Sequence, residues 1–421
     1  MIFKSIHTSV LAVLITLVAG VTTPVFASND SMIELLKVLR DNGTITDEAY
    51  SVLVNSAEAD KERTDAKIEE TTEKKVASIK ETTDKLAWAE KIKFKGDLRL
   101  RRQWEEDQPE MGSDRSRERY RYRLRLGAEA NIYDNVQVGL GFASGSEDPR
   151  STNETFDDNF STKDARLDYA YAQWQATDWA KLIGGKFKRK EYLWVPTDLL
   201  WDSDINPEGF SSHLETDNSL GTTFGNIGWW IVDEDSGSSA DPDMYVAQIG
   251  QKFKSGNFFG TAGATYYKFN DFDMVTGDGI PINFDDDSAD AFALQGEAGI
   301  ANALFGKSFR LLGEWVESDQ DDEDTGWALG FKLGDKKVKE RGTWQIKYIY
   351  ADLEENAFPN IFPDSDRLGG QTGVTSNEIE FKYAIAKNIM AVVDYYSSEQ
   401  DIPGMPDDEE ELLQTDIIFK F

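Results

Sequence analysis

The chain has 421 residues, a formal net charge of −32 and no cysteine. A phosphate backbone would repel so acidic a chain, which excludes nucleic-acid binding, and without cysteine there is no disulfide framework and no thiolate metal site. Aromatic residues make up 12% of the sequence, too many for an acidic disordered polymer, so what remains is a polar all-β protein or a barrel with unlike faces.

Residues 1–27 read as a cleaved signal peptide. Lys4 charges its beginning, Val10 to Val18 form its apolar centre, and Val25-Phe26-Ala27 offers a small-residue cleavage site before Ser28. The apolar run falls short of the roughly 20 residues that a spanning helix needs. No later stretch is longer, so any membrane crossing is made by strands.

Residues 28–90 carry helical spacing. Leu35, Leu36 and Leu39 precede a break at Asn42-Gly43, and Tyr50, Leu53 and Val54 follow it, so a turn and a second helix are expected. From Glu58 to Glu90 the composition is mostly Glu, Lys, Thr, Ala and Asp, with Ile68, Val76, Ile79 and Leu86 three to eight residues apart. That pattern suits a loose coiled coil or a solvated spacer helix.

At Lys91 the period changes to two. Ile92, Phe94, Leu98 and Leu100 alternate with Lys93, Lys95, Asp97, Arg99 and Arg101, and Tyr120, Tyr122, Leu124 and Leu126 with Arg119, Arg121, Arg123 and Arg125. The pattern predicts sixteen strands at 91–104, 118–132, 136–143, 164–175, 179–188, 210–217, 222–232, 243–254, 257–269, 289–301, 308–317, 325–334, 342–353, 374–385, 388–397 and 412–421, with 210–217 the weakest. Short turns such as Asp134-Asn135 and Thr177-Asp178 alternate with long polar connections at 105–117, 144–163, 189–209, 233–242, 270–288, 318–324, 354–373 and 398–411. That sorting belongs to a membrane barrel, with tight turns at one rim and extended loops at the other. The fold expected for 91–421 is thus an all-β transmembrane antiparallel barrel of about sixteen strands, preceded by the helical segment 28–90. Its apolar face looks out to lipid. The other face, with Arg99, Arg101, Lys332, Lys347, Glu380, Asp416 and Lys420, surrounds water. Closure follows, because an open edge would strand peptide groups in hydrocarbon at several kcal/mol each.

The run Trp194-Val195-Pro196-Thr197-Asp198 followed by Trp201-Asp202-Ser203-Asp204-Ile205-Asn206-Pro207-Glu208-Gly209, after Gly184-Gly185-Lys186-Phe187, resembles the putative porin family of Gram-negative bacteria. The stretch Leu35 to Thr46 is similar to the leader found ahead of such barrels, and Phe421 after Phe419 and Ile417 resembles the signal read by the outer-membrane assembly machinery. The resemblance implies a passive channel in the cell outer membrane, trimeric as porins usually are, with 28–90 in the periplasm. Outer-membrane lipid, lipopolysaccharide and peptidoglycan are the contacts it suggests. No cofactor is expected; the acidic runs at Asp285-Asp286-Asp287, 319–324 and 407–411 are solvated tips or sites where divalent cations bridge carboxylates to lipopolysaccharide.

For the lumen, Arg119, Arg121, Arg123 and Arg125 project to one side of one strand and join Arg99 and Arg101 of its neighbour in a basic wall. The loop 189–209 is expected to fold inward and set Asp198, Asp202, Asp204 and Glu208 opposite that wall. The alternative at the wall is neutralisation by Asp97 or Glu129. A mild anion preference follows if charge is left over, since loop charges are screened beyond about 8 Å. Two other classes compete. An enzyme needs a nucleophile with a placed base, and the one mature-chain histidine, His213, faces away from Ser212 and shares a face with Ser211 without any motif. A structural tether to the cell wall through 28–90 is compatible with a channel, as is a ligand-specific pore.

Overall fold

The computed structural model describes residues 29–86, 91–234, 236, 241–272, 276–277, 280–281, 283–284, 288–404 and 408–421; the expected signal peptide and the acidic run 285–287 lie outside them. The chain divides into two units, 1–90 and 91–421.

In the first unit, α1 spans Asn29–Asp41 and α2 spans Asp47–Leu86. Thr46 begins α2: its hydroxyl accepts from the Ala49 N–H at 3.2 Å, and Asp47 and Glu48 put negative charge on the first turn, where the helix dipole favours it. The two helices pack on each other at their near ends, where Ala57 is buried and the Arg40 guanidinium lies 4.5 Å from the centre of the Tyr50 ring. Beyond that contact α2 runs on with Ile68, Val76 and Ile79 exposed. Its 40 residues give a length of about 60 Å. No described helix is long and apolar enough to cross a membrane.

The second unit is a closed antiparallel barrel of sixteen long strands. They are β1 Ile92–Pro109, β2 Arg115–Tyr133, β3 Val136–Ala143, β4 Arg166–Thr177, β5 Ala180–Lys186, β6 Glu208–Asn218, β7 Gly221–Ile231, β8 Asp243–Ser255, β9 Phe258–Asn270, β10 Ser288–Leu304, β11 Lys307–Ser318, β12 Thr325–Gly334, β13 Trp344–Leu353, β14 Val374–Ala386, β15 Ile389–Gln400 and β16 Asp408–Lys420. Neighbours in sequence pair throughout, and β16 returns to β1 with Asp97 opposite Lys420 and Leu100 opposite Ile417. Gly96 and Phe421 extend that seam by donating to each other's carbonyls at 2.9 and 3.0 Å. All sixteen expected strands are present, including the weakest, which is β6.

The alternation is inside out, as a lipid solvent requires. Leu100, Leu124, Leu126 and Ile249 are exposed at 44, 39, 47 and 64%, while Arg101, Arg123, Lys347 and Glu380 on the other face are no more than 8% exposed. Glycines make room for rings on the inner wall. Tyr169 lies flat across Gly141, where a Cβ would come within 2.2 Å of the ring.

Three expectations need correction. The connection at 105–117 shrinks to 110–114, because β1 and β2 continue past the hydrocarbon, where both faces meet water and Glu105, Glu106 and Asp107 need no partner face. For the same reason Asp408 to Glu411 belong to β16 rather than to a loop. The inner wall is also not polar all round. Trp230, Met244, Val246, Tyr267, Phe269, Ala291, Val316, Ala328, Ile349 and Ala351 point inward and form a buried apolar cluster with Leu199, Leu200, Trp201, Phe358 and Phe362 from the loops. A second hydrophobic core thus sits inside the barrel.

Candidate functional site

Between β5 and β6 the chain leaves the wall and enters the lumen. Gly185 and Gly209 are register partners at the root of this loop, with φ of 115° and 137°, and a Cβ on either would lie 2.3 Å from a backbone carbonyl oxygen of the neighbouring strand. The Phe187 N–H still donates to the Pro207 carbonyl at 3.0 Å before the loop opens. Its apex is pinned by Trp201, which stacks on Phe362 at 4.5 Å, meets Trp230 edge-on at 5.5 Å and donates from its indole N–H to the Tyr267 hydroxyl at 3.3 Å. Burial of these rings away from water, with aromatic pairs worth about 0.5–1.5 kcal/mol each beyond area, makes infolding favourable.

A second loop, 354–373, also enters the lumen and clasps the first. The Asp202 N–H donates to the Phe362 carbonyl at 2.7 Å, and the Ser365 N–H and hydroxyl donate back to the Asp202 carboxylate at 3.1 and 3.2 Å. Arg150, from the loop 144–163, ties in a third by donating to the carbonyls of Asn360 and Gly370, each at 3.2 Å.

The six arginines all face inward, and most are paired. Arg101 makes a bidentate contact with Asp416 at 2.8 and 2.9 Å, and Arg99 lies 3.7 Å from the same carboxylate. Arg123 and Arg125 share Asp97, at 2.8 and 2.9 Å. Arg119 donates to Glu105 at 2.8 Å, whereas Arg121 reaches Gln103 at 3.4 Å and the Asn153 carbonyl at 3.3 Å. Of the two carboxylates considered as neutralising partners, Asp97 takes that part; Glu129 pairs with Lys95 instead.

Two of the four loop acids, Asp198 and Asp204, line the chamber, and Asp202 is buried between the two loops. Asp204 accepts from Arg125 at 3.1 Å and from the Thr152 hydroxyl at 2.9 Å, with Arg123 at 3.9 Å. Burial alone would raise its carboxyl, but Arg123, Arg125 and Arg99 hold it below the usual carboxylate range. Asp198 accepts from Arg367 at 2.6 Å and lies 3.7 Å from Lys347; these cations outweigh burial and hold it well below the usual range. Asp202 behaves oppositely. Burial first, and then the charge of Asp204, push its carboxyl up to about 8. Glu208 is elsewhere. It begins β6 on the same face as the outward Phe210, is 63% exposed and pairs with Lys186 at 2.8 Å. Strand parity turns it away from the constriction.

A chamber of about 620 Å³ lies between the loops and the wall. Among the described residues ten cationic side chains line it: Arg99, Arg101, Arg123, Arg125, Arg189, Lys190, Lys332, Lys347, Lys382 and Lys420. Seven carboxylates do so as well, with Asp364, Asp366, Glu380, Asp394 and Asp416 joining Asp198 and Asp204. Sequence reasoning placed Lys332, Lys347, Glu380, Asp416 and Lys420 on the inner face but missed Arg189, Lys190 and the whole contribution of 354–373. Arg367 is the main omission. It donates to Asp198 at 2.6 Å and to Glu378 at 2.8 Å, binding both loops to β14.

The residues weighed for catalysis are occupied. His213 Nδ1 is 2.6 Å from Asn226 Oδ1, and the Ser211 hydroxyl accepts from the Trp230 indole at 2.8 Å.

A family model described as "Putative porin" matches residues 104–298 and 272–421. Among solved structures, OprB of Pseudomonas putida at high pH is similar with 13% identity and a TM-score of 0.56, over 81% of this chain and 96% of that one. OmpF of Salmonella typhi, in complex with daunomycin, gives 12% identity and a TM-score of 0.47 over 78% and 97%. OmpT of Vibrio cholerae, in its trimer form, gives 11% and 0.44 over 78% and 99%. No curated protein matches.

Proposed function

The chain belongs to the putative porin family and is an outer-membrane channel rather than an enzyme, and from that premise we propose that it passes small hydrophilic solutes and ions passively, with a mild preference for anions. The observation that carries the preference is the lining of the chamber, where ten cationic side chains stand against seven carboxylates, with Asp97 behind Arg123 and Arg125 taking up part of the excess. Selectivity follows charge at the narrowest point. The chain's net charge of −32 does not decide it, because charges beyond about 8 Å are screened. The transverse arrangement, with Arg99 and Arg101 on the wall and Asp198 and Asp204 on the loop, supports the same reading. Reversal potentials across a planar bilayer under a potassium chloride gradient test it. A potential of the sign set by chloride is expected, and clear cation selectivity overturns it.

A second role concerns residues 28–90. The length of α2, about 60 Å in all and exposed beyond its contact with α1, favours a periplasmic stem that joins three copies or reaches the cell wall. We infer a homotrimer, assembled through recognition of the strand ending at Phe421 and standing in lipid and lipopolysaccharide. Cross-linking and mass measurement of the full chain in detergent test the trimer; a monomer at all concentrations refutes it.

A further inference from the structure

The chamber adjoins a second cavity of about 280 Å³ toward the Lys95 end of β1 and the Lys420 end of β16. Lys95, Arg125, Lys188, Arg189, Lys190 and Lys420 line it, against three carboxylates. Each carboxylate is already engaged: Asp97 by Arg123 and Arg125, Asp168 by the Asn206 amide at 2.7 Å, and Asp204 by Arg125 and Thr152.

The charged side chains that border both cavities mark the neck between them. Among the described residues they are Arg125, Arg189, Lys190 and Lys420, with Asp204 the one acid, and Arg125 is the cation that Asp204 holds. Among the described residues, neither Lys190 nor Lys420 has a carboxylate within 4.0 Å, so no ion pair cancels either charge. Lys188 rests on the face of Tyr169 with its ammonium 4.1 Å from the ring centre, and among the described residues no carboxylate lies within 4.0 Å of it. Arg189 is 5% exposed, with its guanidinium 5.4 Å from the centre of the Trp201 ring and one hydrogen-bond acceptor, the Asp202 carbonyl at 3.2 Å; among the described residues no carboxylate pairs with it, so it adds an uncancelled positive charge behind the neck.

We propose that this neck is a subsite for a small tetrahedral oxyanion, of which phosphate and sulfate are the probes. The inference rests on the channel reading and names a ligand class for its lumen. The surrounding charges do not lie in one plane: Arg189 and Lys190 belong to the infolded loop, Lys420 to β16 and Arg125 to β2. Lysine acts as a mobile point charge and arginine as a fixed fork, and an ion with several acceptor oxygens satisfies both kinds at once. A single-centred anion such as chloride cannot do so and passes through. Binding of this sort slows the oxyanion at the neck and, while it sits there, blocks the smaller ion.

The test records single-channel chloride current of the full chain in a planar bilayer while inorganic phosphate or sulfate is added at constant ionic strength. The expected result is a saturable block by both, weaker by about tenfold in half-blocking concentration for K190Q/K420Q, with an unchanged block in K163Q, a change in an outer loop. Should the double variant not assemble, K190Q alone changes an exposed loop position and gives the same readout in smaller measure. Absence of block, an equal block by acetate, or a block unaltered in the variants overturns the subsite while leaving the channel standing. No conductance in any salt overturns the channel reading and this inference with it.

Discussion

Gly185 and Gly209 face each other across the β5–β6 ladder, and both hold backbone angles that only glycine adopts without strain. The pair lets the wall stop and the loop turn inward within one register step. A side chain there meets the Ala170 or Trp229 carbonyl oxygen at 2.3 Å, which a flexible neighbour cannot relieve.

The first prediction is that G209A lowers barrel stability by about 1–3 kcal/mol, the cost of a strained conformation, and loosens the loop. Thermal unfolding in detergent reads the first effect. An increased single-channel conductance reads the second; a variant with unchanged conductance and melting argues that the turn tolerates a methyl.

Arg367 is the other anchor of the constriction. It is 5% exposed and its partner Glu378 is fully buried, with Lys347 also bound to that carboxylate. Replacing it by methionine leaves Asp198 and Glu378 short of a cation, and breaking one partner of a buried pair costs about 3–5 kcal/mol. R367M is expected to melt earlier and conduct more. Adding E378Q to it restores part of the stability, which a double-mutant cycle measures.

Asp204 offsets Arg125 and, at longer range, Arg123. D204N therefore leaves more uncompensated positive charge in the chamber. At 4 Å in water one charge pair is worth about 1 kcal/mol, so the chloride-to-potassium permeability ratio rises by a few-fold. Reversal potentials report it, and a shift toward cations contradicts the argument.

Asp202 sets a pH dependence. Its folded carboxyl titrates at about 8 because of burial and the adjacent Asp204 charge, far above the unfolded value. A raised acid gives a stabilisation that is complete below the unfolded value of about 4 and is lost as pH rises through about 8. Loop anchoring is thus expected to be firmer at pH 5 than at pH 9. Limited proteolysis and melting across that range check it, and D202N flattens the profile.

Deleting residues 29–86 is expected to leave a barrel that still conducts, because the two units are separately compact. Loss of the oligomer in the deletion assigns the stem to assembly. An unchanged oligomer assigns it elsewhere.

The barrel was legible because lipid forces a strict two-residue period on every strand. Arg119 to Arg125 alternating with Tyr120 to Leu126 could only be read one way. The apolar lining hidden behind the loops was not. Ala289, Ala291 and Ala293 are buried on the inner face, and their period is the same whichever face carries it. Nothing local marks Phe358 or Phe362 as core residues, since loops have no period and their partners are far along the chain. Glu208 shows the opposite fault. It stands in the recognisable Trp201 to Gly209 run, yet its face was fixed by Phe210 two positions on, and counting parity from that exposed ring would have placed it correctly. The charge pairing of Asp97 was one of the alternatives at the wall, beside Glu129, and its partners are Arg123 and Arg125 on the neighbouring strand. The clamp at Arg367 was not legible, as it joins Asp198 and Glu378 from three separate stretches.

The seam between β1 and β16 joins positions more than three hundred residues apart, with Asp97 meeting Lys420 and Gly96 meeting Phe421. No earlier portion of the chain can supply that last row of rungs. Until the last strand arrives, β1 has a raw edge able to pair with any strand that drifts by, so the polypeptide must be kept from its own kind during transit. Contacts of such long sequence separation also form slowly. The hazard of clumping therefore lasts until the two margins zip together.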